Sequence, residues 1–314
     1  MSNHDHHHES DLGTRRLAWA IAINLLLTAA QVIGGVLSGS LSLVADALHN
    51  FSDAAGLLLA LVARRISKRP ADEQRTFGYG LAEVVGGLIN LTSIMVISGY
   101  LLIEAITRMF DRPEVDGWIM VIVAGIALLV DTATAVLTYS MSKESVNIKA
   151  AFLHNIADAL ASVAVIVTGT LIILFDWYWT DIVTTFSISV YIVWISWSPF
   201  KRCVRILMQS TPDDLSIQSI ASTIRDVPGV ENISHLHVWS IDESIVALEL
   251  RIESGNCTSL LEADDFRQRI KELIRVHYEI QHATIEIVPA GSLSGQPLIA
   301  AHEKDSDPQP KQEQ

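Results

Sequence analysis

Between residue 17 and about residue 207 the chain is a succession of long apolar blocks separated by short charged connectors. A bilayer core takes about 20 apolar residues of helix. Six stretches meet that length, at roughly 17–38, 41–64, 81–109, 117–140, 150–174 and 181–204. The short GSLSL link between the first two leaves room only for a tight turn. Half of the 314 residues are hydrophobic and the mean hydropathy is +0.35, which excludes an ordinary soluble domain of this size.

Lys and Arg fall on alternate connectors. Arg15 and Arg16 precede the first span, and Arg64, Arg65, Lys68, Arg69 and Arg75 follow the second. Lys143 and Lys149 lie between the fourth and fifth, and Lys201, Arg202 and Arg205 close the sixth, against only Arg108 and Arg112 on the other side. The positive-inside rule then places both termini in the cytoplasm. The FDWYWTD link supplies interfacial aromatics on the outer side.

Residues 209–290 have soluble composition and read as helix (213–226), strand (230–241), strand (245–254), helix (260–276), strand (282–288). Asp213 and Asp214 suit the first turn of that first helix, and Asp242-Glu243-Ser244 suits a hairpin turn. The expected fold class is an α-helical membrane protein with six transmembrane helices, followed by a small α+β domain of αββαβ order. Residues 1–14 form a His-rich tail, 15–208 the membrane domain, 209–290 the cytoplasmic domain and 291–314 a disordered tail rich in Gly, Pro and charge. The MSNHDHHHES start has no basic region before an apolar core, so it does not read as a signal peptide. Its His4, His6, His7 and His8 are either a metal-binding run or the remnant of a purification tag. Cys203 and Cys257 form no CxxC, which argues against a disulfide framework. The net charge of −13 and the lack of a basic stripe argue against nucleic-acid binding.

Two phrases nearly repeat: LHNFSDA at 48–54 and LHNIADA at 153–159. Each sets a His and an Asp four residues apart inside a membrane span, where an ionisable group is rare and usually functional. Residues i and i+4 share one helical face. If the two faces meet, His49, Asp53, His154 and Asp158 converge as an N₂O₂ ligand set that suits tetrahedral zinc. A single such pair could equally be a structural hydrogen bond or a proton relay; two copies favour a metal. Asn50 and Asn155, beside each His, are either hydrogen-bond donors supporting the ligands or helix-packing residues, with packing the favoured reading. Asp46, one turn before His49, is a candidate for the ion path. Asp131 is a candidate for a polar lining or proton route, and Glu83 and Glu104 reach the interfaces.

The stretches GSLSLVADALHNFSDA, RTFGYGLAEVVGGLIN, SVNIKAAFLHNIADALASV and HLHVWSI together resemble the cation diffusion facilitator family, close to its bacterial zinc exporters, over most of residues 15–290. The resemblance implies a homodimer in the bacterial plasma membrane. It implies six spans per subunit and a metallochaperone-like cytoplasmic domain. It also implies a transport site at His49, Asp53, His154 and Asp158. Zinc, with cadmium often tolerated, would leave the cytoplasm against inward protons, with no organic cofactor and no enzymatic reaction. Members with Asp or Asn at the first ligand position tend to admit iron or manganese.

The chain departs from the family in two places. A further metal site after the second span uses His residues; here Arg75 and Tyr79 stand in their places, so that site is expected to be missing. Leu81 stands where Arg or Lys is usual. Cytoplasmic zinc ligands of the family correspond to Glu249, Asp264 and Glu286, with His235, His237 and His282 near them in sequence. These residues make either a carboxylate-rich regulatory site or an empty one. The alternatives to transport are a membrane-anchored metal sensor and an intramembrane metal-dependent hydrolase. The absence of HExxH and of a nucleophile cluster argues against the hydrolase.

Overall fold

The computed structural model describes residues 25–111, 113–139, 146–255 and 259–299, which group into two compact units. The His-rich run, Arg15, Arg16 and Cys257 lie outside the described residues.

The helical unit holds α1 (Leu25–Ser38), α2 (Leu41–Ser67), α3 (Leu81–Thr107), α4 (Gly117–Tyr139), α5 (Val146–Phe175) and α6 (Trp179–Leu207), except for the ends of α2, α3 and α6 that fall in the other unit. Four of these, α3 to α6, are long and apolar enough to cross a membrane. Of the six spans expected, the first is described only from Leu25. The α2 helix is long enough, but Asp46, His49, Asp53 and its terminal Arg64 and Arg65 dilute its apolar character. Large apolar side chains such as Val96, Ile103, Leu129 and Trp194 face outward, which is stable only when the solvent is lipid.

The helices α4 and α5 pack together, with Gly117 against Gly169. A Cβ at Gly117 would stand 2.6 Å from the Gly169 carbonyl oxygen, so the close crossing requires glycine. The unit's core joins Leu43 and Ala45 of α2 to Ile94 and Leu101 of α3, Met120 and Ala124 of α4, Val165 of α5 and Ile188 of α6.

The second unit is an αββαβ domain. It comprises α7 (Ile217–Arg225), β1 (Asn232–Ser240), β2 (Val246–Glu253), α8 (Leu260–Tyr278) and β3 (His282–Val288). Strand order is β1-β2-β3, antiparallel at the hairpin and parallel across the α8 crossover. Asp242 Oδ1 closes the hairpin by accepting from the Ser244 and Ile245 amides, as the turn chemistry expects. One sheet face (Leu236, Val238, Leu248, Leu250, Ile252) packs on Ile220 and Ile224 of α7 and Phe266, Ile270 and Ile274 of α8.

Three local readings are corrected. The α7 helix starts later than position 213 because Ser216 is its N-cap, accepting from the Ser219 amide; Asp213 instead pairs with Arg205. A bulge interrupts β1 between Ser234 and His237, with His235 at φ +53°. Residues 291–299, assigned by composition to the tail, pack on the domain. Leu293 is buried, and the Leu298 carbonyl accepts from the Leu236 amide at 2.8 Å, which satisfies the N–H that the bulge removes from the ladder.

The α2–α3 loop belongs to this second unit. Asp72 organises it, accepting from the Gln74 and Arg75 amides and from the Tyr79 hydroxyl at 2.7 Å. The Arg75 guanidinium lies 5.2 Å from the Tyr79 ring centre. Arg75 and Tyr79 thus hold this loop by polar and ring contacts.

Candidate metal centre

The α2 and α5 helices bring the repeated phrases together. His49 and Asp53 come from one, His154 and Asp158 from the other, and one ligand atom of each lies within 4.8 Å of every other. His49 Nε2 is 3.7 Å from Asp53 Oδ2 and 3.5 Å from Asp158 Oδ1. His154 Nε2 is 3.2 Å from Asp53 Oδ2 and 3.5 Å from Asp158 Oδ2. The two rings meet edge to face, with centroids 5.9 Å apart.

Three of these spacings are long for hydrogen bonds, which centre near 2.9 Å, and the His154–Asp53 contact at 3.2 Å is at the edge of that range. For comparison, zinc bonds of about 2.0–2.1 Å put neighbouring ligand atoms about 3.3–3.4 Å apart; the His–Asp contacts lie near that value, the two to Asp158 through different oxygens, and the four ligand atoms as a set converge within 4.8 Å. Of the atoms that face the site, Asp53 Oδ2 and Asp158 Oδ1 are buried and make no hydrogen bond. Orphaned acceptors at this depth are costly unless a cation meets them. A divalent ion would neutralise both carboxylates, so the donor set fits zinc.

Access to the site is lopsided. The His49 and Asp158 side chains are 14% and 9% exposed, whereas Asp53 and His154 are 31% and 45% exposed. Because α2 and α5 run in opposite directions here, Asp53 and His154 are the members nearer the C-terminal end of α2 and the N-terminal end of α5. The site is therefore open toward that end and closed toward the other.

Around it lies a buried polar network. Gln31 of α1 donates from Nε2 to Asp46 Oδ2 at 2.7 Å and accepts from Asn50 Nδ2 at 3.0 Å. Asp46 thus ties α2 to α1, and Asn50 joins the same network as a donor. Gln31 itself went unnoticed in the sequence, although an amide inside an apolar block is the signal that marks it. Asp131 of α4 takes a long contact of 3.4 Å from the Ser162 hydroxyl.

The cytoplasmic residues do not assemble in the same way. Asp264 pairs with Arg267. Glu286 binds Arg251, and the His282 ring stacks edge-on against Phe77. His235 and His237 rings touch at 4.6 Å, and His237 faces Glu249 across the β1–β2 pairing. Among the described residues only the four α2 and α5 ligands form a group of three or more that could hold a metal ion.

Four membrane-length apolar helices, packed with α2 so that a His-Asp pair on α2 and another on α5 converge, define a multi-pass membrane protein with a candidate metal site inside its helical bundle. Residues 17–208 match the family described as the cation efflux transmembrane domain, and residues 212–290 match the cation efflux protein cytoplasmic domain. The chain belongs to the cation efflux family, whose members are transporters and not enzymes. It is 33% identical to the zinc transporter ZitB of Pectobacterium atrosepticum over 90% of this chain and 88% of that protein. It is 31% identical to the cadmium, cobalt and zinc/H(+)-K(+) antiporter of Bacillus subtilis, over 82% and 83%. It is 30% identical to the metal cation efflux system protein CzcD of Cupriavidus metallidurans, over 91% and 89%.

Proposed function

We propose that this protein exports zinc, with cadmium tolerated, from the cytoplasm in exchange for inward protons, by alternating access at His49, Asp53, His154 and Asp158. The observation that carries the reading is the convergence of one ligand atom from each of these four residues within 4.8 Å of every other, with Asp53 Oδ2 and Asp158 Oδ1 buried and making no hydrogen bond. Two imidazoles favour zinc over manganese or magnesium. Zinc needs the four groups deprotonated, so zinc and protons compete for the same atoms. A near-neutral cytoplasm loads the ion, and a more acidic exterior releases it. In this reading residues 15–208 span a bacterial plasma membrane six times with both termini inside. Residues 209–290 pair two copies of the chain as a homodimer.

The test is zinc flux into liposomes holding the purified protein under an imposed pH gradient. Gradient-dependent flux that disappears in Asp158→Ala is the expected result. Stoichiometric zinc binding with no flux in the parent protein would overturn the reading and favour a metal sensor.

A further inference from the structure

The closed end of the site is fastened by contacts that the ligand set does not explain. Asp181, in the first turn of α6, is fully buried. Its carboxylate accepts from the Ser40 hydroxyl at 2.7 Å and the Ser42 hydroxyl at 2.6 Å. It also accepts from the Leu41 and Ser42 amides at 2.9 and 3.1 Å. Those amides are among the first of α2, which have no partner within their own helix. An anion there also meets the positive end of the helix dipole. A residue some 140 positions away thus caps α2. Two neighbours complete the fastening: Arg108 Nη1 donates to the Gly39 carbonyl at 2.6 Å, and the Asp116 amide donates to the Ser38 carbonyl at 2.8 Å.

His49 lies eight residues further along α2, about 12 Å from the clasp at 1.5 Å per residue. The open pair, Asp53 and His154, lies on the far side of His49 from the clasp. An ion entering past the open pair can leave at the other end only if α2 parts from α6 there. Parting exposes a carboxylate and two helix-end amides that are unpaired when dry and well solvated when wet. The contact therefore has two stable states, closed and dry or open and hydrated, with the half-open state disfavoured.

We infer that the Asp181 clasp on Ser40, Ser42 and the first amides of α2 is the exit gate of the ion path, and that Asp181 is a positioning residue holding α2 in its loading state. This rests on the exporter reading, and its test does not require flux. The full-length protein, with Cys203→Ser and Cys257→Ser, carries Val44→Cys as a reporter one turn inside the clasp. A membrane-impermeant maleimide is added on the side opposite the cytoplasmic domain. The expected result is labelling at least about tenfold faster in both Asp181→Asn and the Ser40→Ala/Ser42→Ala double variant, as loss of charge-assisted bonds predicts, with zinc stoichiometry unchanged. Unchanged labelling with zinc binding intact overturns the gate, as does lowered thermal stability and zinc binding without faster labelling, the signature of a merely structural cap. The serine double variant keeps both backbone bonds to Asp181, so it decides the question if Asp181→Asn fails to fold. Absence of zinc flux in the parent removes the exporter reading while labelling still reports on the clasp.

Discussion

In the proposed site the four residues divide two tasks by atom type. There the imidazoles would select for a borderline-soft ion and the carboxylates would supply the compensating charge. His49→Asp keeps four ligands but exchanges a nitrogen for an oxygen. It is expected to lower zinc affinity by about tenfold or more and to raise manganese binding relative to zinc, measured by calorimetric titration of both ions; an unchanged ratio would show that ligand type does not set selectivity. The spacing HNxxD was enough to choose these residues from the sequence, because i and i+4 must share a helical face. Gln31 and Asp181 were not chosen, because a polar residue's partner on another helix depends on packing that spacing does not encode.

At the level of elements, termini and loops were the least legible parts. The α8 helix carries a full capping box, with the Ser259 side chain accepting from the Glu262 amide and the Glu262 side chain reaching the Ser259 amide. Ser259→Ala is expected to destabilise the cytoplasmic domain by about 1 kcal/mol, seen as a lower midpoint in its denaturant unfolding; no shift would mean that water replaces the cap freely. In the α2–α3 loop, the Tyr79 hydroxyl beside Asp72 holds that carboxyl below its usual range. The contribution of this contact is present at neutral pH and is lost as pH falls through the lowered Asp72 value. Tyr79→Phe should therefore raise the Asp72 titration point, read by carboxyl NMR, and a titration unmoved by the change would assign the shift to the backbone amides alone. Helix and strand periodicity gave α7, β1 and β2 in order. The late start of α7 and the bulge at His235 were hidden because a cap and a bulge are settled by hydrogen bonds, one of them from residue 298.

For the whole molecule, metal binding and stability are linked. Zinc that binds only the folded bundle stabilises it by RT ln(1 + [L]/Kd), about 2.7 kcal/mol at a hundredfold excess over Kd. The melting temperature of the detergent-solubilised protein is expected to climb with zinc concentration in the parent and to stay flat in Asp158→Ala. A parallel rise in both would place the stabilising metal elsewhere. The sequence by itself determined the membrane class, the division between an apolar half and an αββαβ domain, and the ligand quartet. Each of these follows from local composition and period, properties that a chain carries before it folds. Only the tertiary structure decided that the two His-Asp faces meet with their ligand atoms within 4.8 Å, that the site opens at one end, and that a buried aspartate on α6 fastens the other. Those depend on which helices touch, and contact between segments more than a hundred residues apart is set by packing of the whole bundle rather than by any stretch within it.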